Sequence, residues 1–271
     1  MQHWKWYHSL VLILILLGIF GVAAWDAATF VARWLVVMVL MLAFLYFAGW
    51  GITGATQPFP YLINEQFRMS TSKFQMSLWT ILILSAYLVA VMANVQARHG
   101  LDAALEVAIP EEIWVALGIS TVALVGSPLI NSTKKNKPTN QEAYARSLKG
   151  ARKAAYAIAD DKEAFVEEKT VGQLVRNTSP KEARLFEILS GEEISNYQVL
   201  DLARVQVMMF TLILVVSYGA ALGGMFADAM TTIKDTPISA FPAIGMGANA
   251  LLALSTGGYL VGKAVSQTPE G

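Results

Sequence analysis

The 271-residue chain contains no cysteine, which excludes disulfides, thiolate nucleophiles and cysteine-ligated metals in whichever compartment its loops lie. It also lacks an excess of either charge. Its 20 basic residues balance 20 acidic ones, so no global field draws in nucleic acid, and nucleic acid is not an expected partner. Histidine is scarce. His3, His8 and His99 fall outside the apolar runs, leaving no axial ligand for a haem in the membrane and no histidine-centred triad. No apolar run carries Asp, Glu, Lys or Arg at its centre, where proton- or sodium-coupled transport ordinarily places one. His99, Asp102 and Glu106 lack a diagnostic metal-site spacing and read as a solvated acidic loop. No catalytic residue, cofactor or metal is expected.

What the chain has instead is apolar length. It is 55% hydrophobic with a positive mean hydropathy, above the roughly 45–50% of soluble domains. Six runs, near 9–25, 31–51, 77–97, 113–130, 205–226 and 240–262, approach the roughly 20 residues that cross a hydrocarbon core. The expected fold is all-α: a polytopic membrane protein with six transmembrane helices. The first run follows Lys5, as a signal peptide would. Ala23-Ala24-Trp25-Asp26 leads almost at once into the second run, however, so a retained helical hairpin is expected.

Positively charged loops stay on the cytoplasmic side. With both termini, the 52–76 loop and the 131–204 segment inside, only Arg33, Arg98 and Lys234 among the 20 basic residues fall outside. Both termini are therefore expected in the cytoplasm. The outer loop between the third and fourth runs carries Asp102, Glu106, Glu111 and Glu112.

Two stretches share a register. Ser70-Thr71-Ser72-Lys73-Phe74-Gln75, Trp79-Thr80 and Tyr87 match Asp201-Leu202-Ala203-Arg204-Val205-Gln206, Phe210-Thr211 and Tyr218. Each is followed by a second apolar run, with Ile119-Ser120-Thr121 or Leu254-Ser255-Thr256. Duplication explains the register, with shared apolar composition as the alternative. Two spans per copy make the repeats parallel, unlike the inverted repeats of many secondary transporters. The expected organisation is an N-terminal transmembrane hairpin (1–54), a first two-helix repeat (55–130), a cytoplasmic helical segment (131–200), a second two-helix repeat (201–265) and a tail (266–271).

The 131–204 segment is the one long polar stretch. Residues 134–153 hold seven basic groups against Glu142, either a topology signal on a solvated helix face or a cluster suited to anionic lipid headgroups. Ala143 to Val166 reads as a helix that Asp160-Asp161 can interrupt. Ser179-Pro180-Lys181-Glu182 has the order of a helix start, and the helix it predicts carries Leu185, Phe186, Ile188 and Leu189 as an apolar docking face. Some 70 residues make a marginal core, so packing on the membrane region or a partner is expected.

Within the runs, Thr80, Tyr87 and Asn94 form a stripe that Thr211 and Tyr218 partly repeat. A polar pathway and ordinary interhelical hydrogen bonding both account for it, the second more simply. Ser72-x-x-Gln75 has the form of a capping box; Gln206 lacks that explanation because Ala203 replaces the serine. Gly219, Gly223, Gly257, Gly258 and Gly262 are candidates for close helix packing. Pro237 and Pro242 before the last run allow a short interfacial or re-entrant segment, with Pro110 in the comparable place before the fourth. Gly257 to Lys263 has the glycine and lysine spacing of a phosphate-binding loop, but Ala264 replaces the hydroxyl residue and no strand precedes it, so that reading is rejected.

Phe74-Gln75-Met76-x-x-Trp79-Thr80, Leu117-Gly118-Ile119-Ser120, Leu185-Phe186, Gly191-Glu192-Glu193, Asp201-x-x-x-Val205-Gln206 and Leu254-Ser255-x-x-Gly258-Tyr259-x-x-Lys263 resemble a group of largely uncharacterised prokaryotic membrane proteins, over roughly 68–265. The resemblance implies a bacterial inner membrane and duplicated helix pairs, and no activity. The leading expectation is a non-enzymatic membrane subunit, an anchor or scaffold in a larger assembly, in contact with membrane lipids and with copies of itself or other subunits. The alternative is a homo-oligomeric ion or small-solute channel lined by the polar stripe or the last span.

Overall fold

The computed structural model describes residues 3–269. Its helices follow in the order α1 (Trp6–Ala23), α2 (Phe30–Thr53), α3 (Thr71–Gln96), α4 (Leu101–Leu105), α5 (Glu111–Lys135), α6 (Gln141–Ser147), α7 (Gly150–Ala157), α8 (Lys162–Lys169), α9 (Leu202–Thr232) and α10 (Met246–Ala264). Five of them, α1, α2, α3, α5 and α9, are long and apolar enough to cross a membrane. The chain is an integral membrane protein, mostly helical. The last expected run is helical only from Met246, and Asn249, Ser255, Thr256, Tyr259 and Lys263 leave α10 without the sustained apolar stretch of the other five.

The helix starts follow capping chemistry. Thr29 accepts from Ala32 N at 3.2 Å to begin α2. Ser70 accepts from Lys73 N at 3.4 Å to begin α3. Ser72, expected as the cap, lies inside the helix instead, and Gln75 reaches Thr256 Oγ1 at 3.4 Å. Gln206 is exposed.

The bundle core joins Trp34 and Val37 of α2, Trp79, Leu82, Ile83 and Val89 of α3, Ile113 of α5, Tyr218, Leu222 and Phe226 of α9, and Leu252 of α10. Ala86, Ala90 and Ala93 recur along α3 and are fully buried, so neighbouring helices approach its backbone closely. Leu10, Ile13, Leu14, Leu17 and Phe20 leave one side of α1 exposed. An apolar face of that extent suits lipid and not water. Lipid is as apolar as these side chains, so shape fit and scattered hydrogen bonds hold the helices together more than hydrophobic burial does. Arg33 joins helix ends: its guanidinium donates to Ala28 O at 2.9 Å and to Gln96 Oε1 at 2.5 Å.

Residues 237–245 are not helical. Ala108 N donates to Ser239 O at 2.8 Å and Phe241 N to Ala108 O at 2.9 Å, so the segments that precede α5 and α10 pair in parallel.

Residues 55–70, 131–201 and 265–269 form a polar layer at the other end of the bundle. The expected helix from Ala143 to Val166 is broken into α6, α7 and α8. Gly150 starts α7 at a positive φ of 55°, and Asp161 caps α8 by accepting from Ala164 N at 2.9 Å. The breaks let Tyr144, Leu148 and Val166 turn inward against Val175, Ile194 and Tyr197. The helix expected after Ser179 is replaced by two 3-10 turns, Pro180–Glu182 and Leu185–Ile188.

A two-stranded hairpin, β1 (Thr170–Val171) and β2 (Leu174–Val175), docks the layer onto α5. Gln173 N donates to Lys134 O at 3.1 Å, satisfying a carbonyl at the end of α5. Gly172 at the turn has a φ of 60°, and a Cβ there would run into the carbonyl oxygens of Lys134 and Lys135. Both its conformation and its surroundings require glycine.

Candidate functional site: a buried ion network at the bundle end

α9 begins at Asp201, whose Oδ1 accepts from Ala203 N at 3.0 Å and Arg204 N at 3.3 Å. Its other oxygen takes Arg204 Nε at 3.2 Å. A cation in the first helical turn opposes the helix dipole, so Arg204 needs compensation, and Glu192 supplies it. Arg204 Nη2 lies 2.8 Å from Glu192 Oε1, and Lys263, from the last turn of α10, places Nζ 2.7 Å from Glu192 Oε2. Asn131 of α5 donates to that second oxygen at 2.8 Å. The strap carrying Glu192 is thus clamped to three helices at once.

Tyr259 lies beneath the cations, with the Arg204 guanidinium 5.4 Å and the Lys263 ammonium 5.7 Å from its ring centre. Its hydroxyl is 3.3 Å from Ser127 Oγ and 3.5 Å from Ser72 Oγ, while Lys263 also bonds Ser127. Thr71 completes the contact between α3 and the strap, donating to Ile188 O at 2.6 Å and accepting from Arg204 Nη1 at 3.4 Å.

Glu193 repeats the arrangement one residue later. Its Oε1 is 2.5 Å from Lys134 Nζ, with both side chains nearly inaccessible. Its Oε2 accepts from Gln267 N at 2.7 Å and Thr268 N at 2.8 Å. A cavity of about 360 Å³ opens beside the cluster, lined among others by Asn131, Glu192, Asn196, Arg204 and Lys263.

Burial by itself would raise the Glu192 carboxyl; the charges of Lys263 and Arg204 outweigh it and hold the group well below the ordinary carboxylate value. The Arg204, Lys263 and Lys134 charges face Asp201, Glu192 and Glu193. With each carboxylate in an ion pair, none is left poised as a general base. Among the described residues, no three His, Cys, Asp or Glu side chains are placed to hold a metal ion. The arrangement can fasten the polar layer to the helix ends and fix their spacing.

Gly262 lines the same cavity; the other candidate site residues singled out in the sequence lie elsewhere. Asn94 is fully buried and clamps Ile238, donating to its carbonyl at 3.0 Å and accepting from its N–H at 2.8 Å. Tyr218 donates to Pro242 O at 3.0 Å, and Tyr87 to Leu105 O at 3.3 Å. Thr211 is buried with its hydroxyl unpartnered, and Thr80 is half-buried. The expected docking face is divided: Ile188 is buried against Leu62, Ile63 and Met69, Leu189 is half-buried, and Leu185 and Phe186 are exposed. A 3-10 turn does not gather the four on one side as an α-helix would.

The glycines divide as well. A Cβ at Gly219 or Gly223 would touch the Trp34 ring at 3.9 Å or 3.7 Å, whereas one at Gly257, Gly258 or Gly262 would meet nothing within 4 Å. Of these five, only the first two face a neighbouring helix of this chain, at ordinary contact distance.

In the sequence Arg204 stands only in the repeat register and among the basic residues of the 131–204 segment, and Lys263 only in the rejected phosphate-loop spacing and the family resemblance; their shared carboxylate is not visible there. The available signal was Arg204 itself, a cation three residues after a helix-capping aspartate. No family model, curated protein or solved structure matches the chain, so the chemistry of the cluster rests on its own geometry.

Proposed function

We propose that the chain is a non-enzymatic membrane subunit, a scaffold that holds a rigid polar platform at the bacterial inner membrane for a larger assembly. The observation that carries this reading is the double clamp of Glu192 and Glu193, which fastens the 190–201 strap to α5, α9, α10 and the residues after α10. A rigid surface suits docking because less order has to be gained on binding. The bundle interior also favours a structural role. Trp79, Tyr218, Leu222 and Leu252 fill it, and Asn94, Tyr87 and Tyr218 are engaged with backbone carbonyls.

In this reading α10 is a sixth span, shielded on its polar face by α5 and α9. The pairs α3–α5 and α9–α10 are parallel copies. A side-chain cap at Ser70 and at Asp201, and the paired segments before each second helix, support the duplication. The Lys and Arg residues of the polar layer support a cytoplasmic side for it and for both termini. Exposed Leu185 and Phe186 are available to a partner.

The test is gentle extraction from the native membrane through a C-terminal tag, followed by mass and composition of the complex. The scaffold reading expects a foreign protein in fixed stoichiometry. A closed ring of this chain alone, with a bilayer conductance altered by Thr80→Val and Thr211→Val, would replace it with the channel.

A further inference from the structure

A second cavity, of about 710 Å³, lies in the polar layer beside the Glu192 network without sharing a lining residue with the first cavity, and its charge is unbalanced. Arg68, Arg152, Lys169 and Arg184 line it against only Glu182 and Glu187. Both carboxylates are engaged. Glu182 bonds Lys169 at 3.4 Å and Thr178 Oγ1 at 2.7 Å. Glu187 accepts from Asn177 Nδ2 at 2.9 Å and from the N–H groups of Met69 and Arg184, each at 3.1 Å.

Arg68 is the unusual member. It is only 3% exposed, and Nη2 alone is bonded, to Ser190 Oγ at 3.0 Å and Gly191 O at 2.8 Å. Its Nε and Nη1 are buried without a hydrogen-bond partner. A buried guanidinium with two donors unmet is costly unless an acceptor reaches it. Burial holds its pKa below the ordinary arginine value despite the nearby Glu187 and Glu192. Among the described residues, neither Arg152 nor Arg184 forms an ion pair. Phe165, Phe186 and Tyr197 supply aromatic wall. The size is that of small-molecule sites, about 300–1,000 Å³.

We propose that this cavity binds a phosphomonoester, its dianionic phosphate held by Arg68, Arg152 and Arg184 and its less polar part set against Phe165, Phe186 and Tyr197. Guanidinium groups match phosphate oxygens in pairs, and a dianion offsets the excess of four cations over two carboxylates in the lining. The phosphate belongs to a soluble metabolite of nucleotide size or to the headgroup of an anionic lipid; the chemistry at the arginines is the same. The site shares only Phe186 with the scaffold reading, whose clamp at Glu192 and Glu193 is untouched by the test, so each stands or falls separately.

The full chain in phosphatidylcholine nanodiscs is titrated calorimetrically with inorganic phosphate and with adenosine monophosphate. A parallel sample is made with phosphatidic acid, and lipid retained after delipidation is measured. Saturable binding of the soluble probes assigns the metabolite, and selective retention of phosphatidic acid assigns the lipid. Either should weaken about tenfold or more in the Arg152→Ala, Arg184→Ala double variant. That variant alters exposed side chains and leaves Arg68, with its structural bonds, in place. Failure of all three probes to bind, or wild-type binding by the folded double variant, would overturn the proposal.

Discussion

Inside the helix bundle, polar groups are neutral and come one at a time; at its polar end they are charged and come in opposed sets. Trp34 Nε1 meets Ser85 Oγ at 3.0 Å, and Asn94 meets the backbone of Ile238. Each such contact is a local arrangement that could be lost alone. Glu192, by contrast, answers Arg204, Lys263 and Asn131 together. The difference follows from dielectric and desolvation. A neutral group in an apolar interior needs one partner, whereas a charge removed from water needs counter-charge and hydrogen bonds at once. The bundle can therefore absorb local change, and its polar end responds as a unit.

The largest expected effect tests that contrast directly. Glu192→Ala leaves Arg204 and Lys263 buried without their common partner, a loss of about 3–5 kcal/mol. It should appear as a lower Tm in detergent and as new protease cleavage between residues 189 and 201. The same carboxylate sets a pH limit. Its folded value lies below the ordinary 4.5 or so, so its contribution is complete above that pH and is lost as pH falls through the folded value. Glu192→Gln should flatten this acid limb of the stability curve. An acid limb identical in the two proteins would show that the network does not act as a unit.

Inside the bundle, shape should matter more than charge. Gly223→Leu drives a side chain into Trp34 and should cost about 1–3 kcal/mol, while Gly258→Leu, where a Cβ meets nothing within 4 Å, should change the Tm of the isolated chain little. Loss of self-association in Gly258→Leu without loss of stability would place a copy against α10. The smallest effect is expected for Asn94→Leu, about 1 kcal/mol, in keeping with single hydrogen-bonding residues in membrane bundles. A larger loss, measured by the same thermal unfolding, would make the clamp on Ile238 as collective as the Glu192 network.

The sequence was most legible where composition alone decides. The five long apolar helices and the single large polar segment were readable because lipid requires about 20 apolar residues in a row and tolerates little else. Asp160-Asp161 was readable as a break because aspartate competes for backbone N–H groups at a helix start, and Asp161 does cap α8. Less legible were boundaries governed by distant contacts. Met246 rather than residue 240 begins α10, because residues 237–241 are drawn into pairing with Ala108 and Asn94. The 3-10 turns after Ser179 form where Thr71 and Met69 supply partners to Ile188 and Glu187, over a hundred residues away in the chain.

The membrane class and most of the helices were determined by the sequence itself, through local hydropathy and capping that each segment carries with it. The meeting of Glu192 with Arg204 and Lys263, the inward turn of Tyr259 and the unmet donors of Arg68 were decided only by tertiary structure. Each depends on side chains from separate segments arriving at one place, where the loss of water makes their mutual placement energetically decisive.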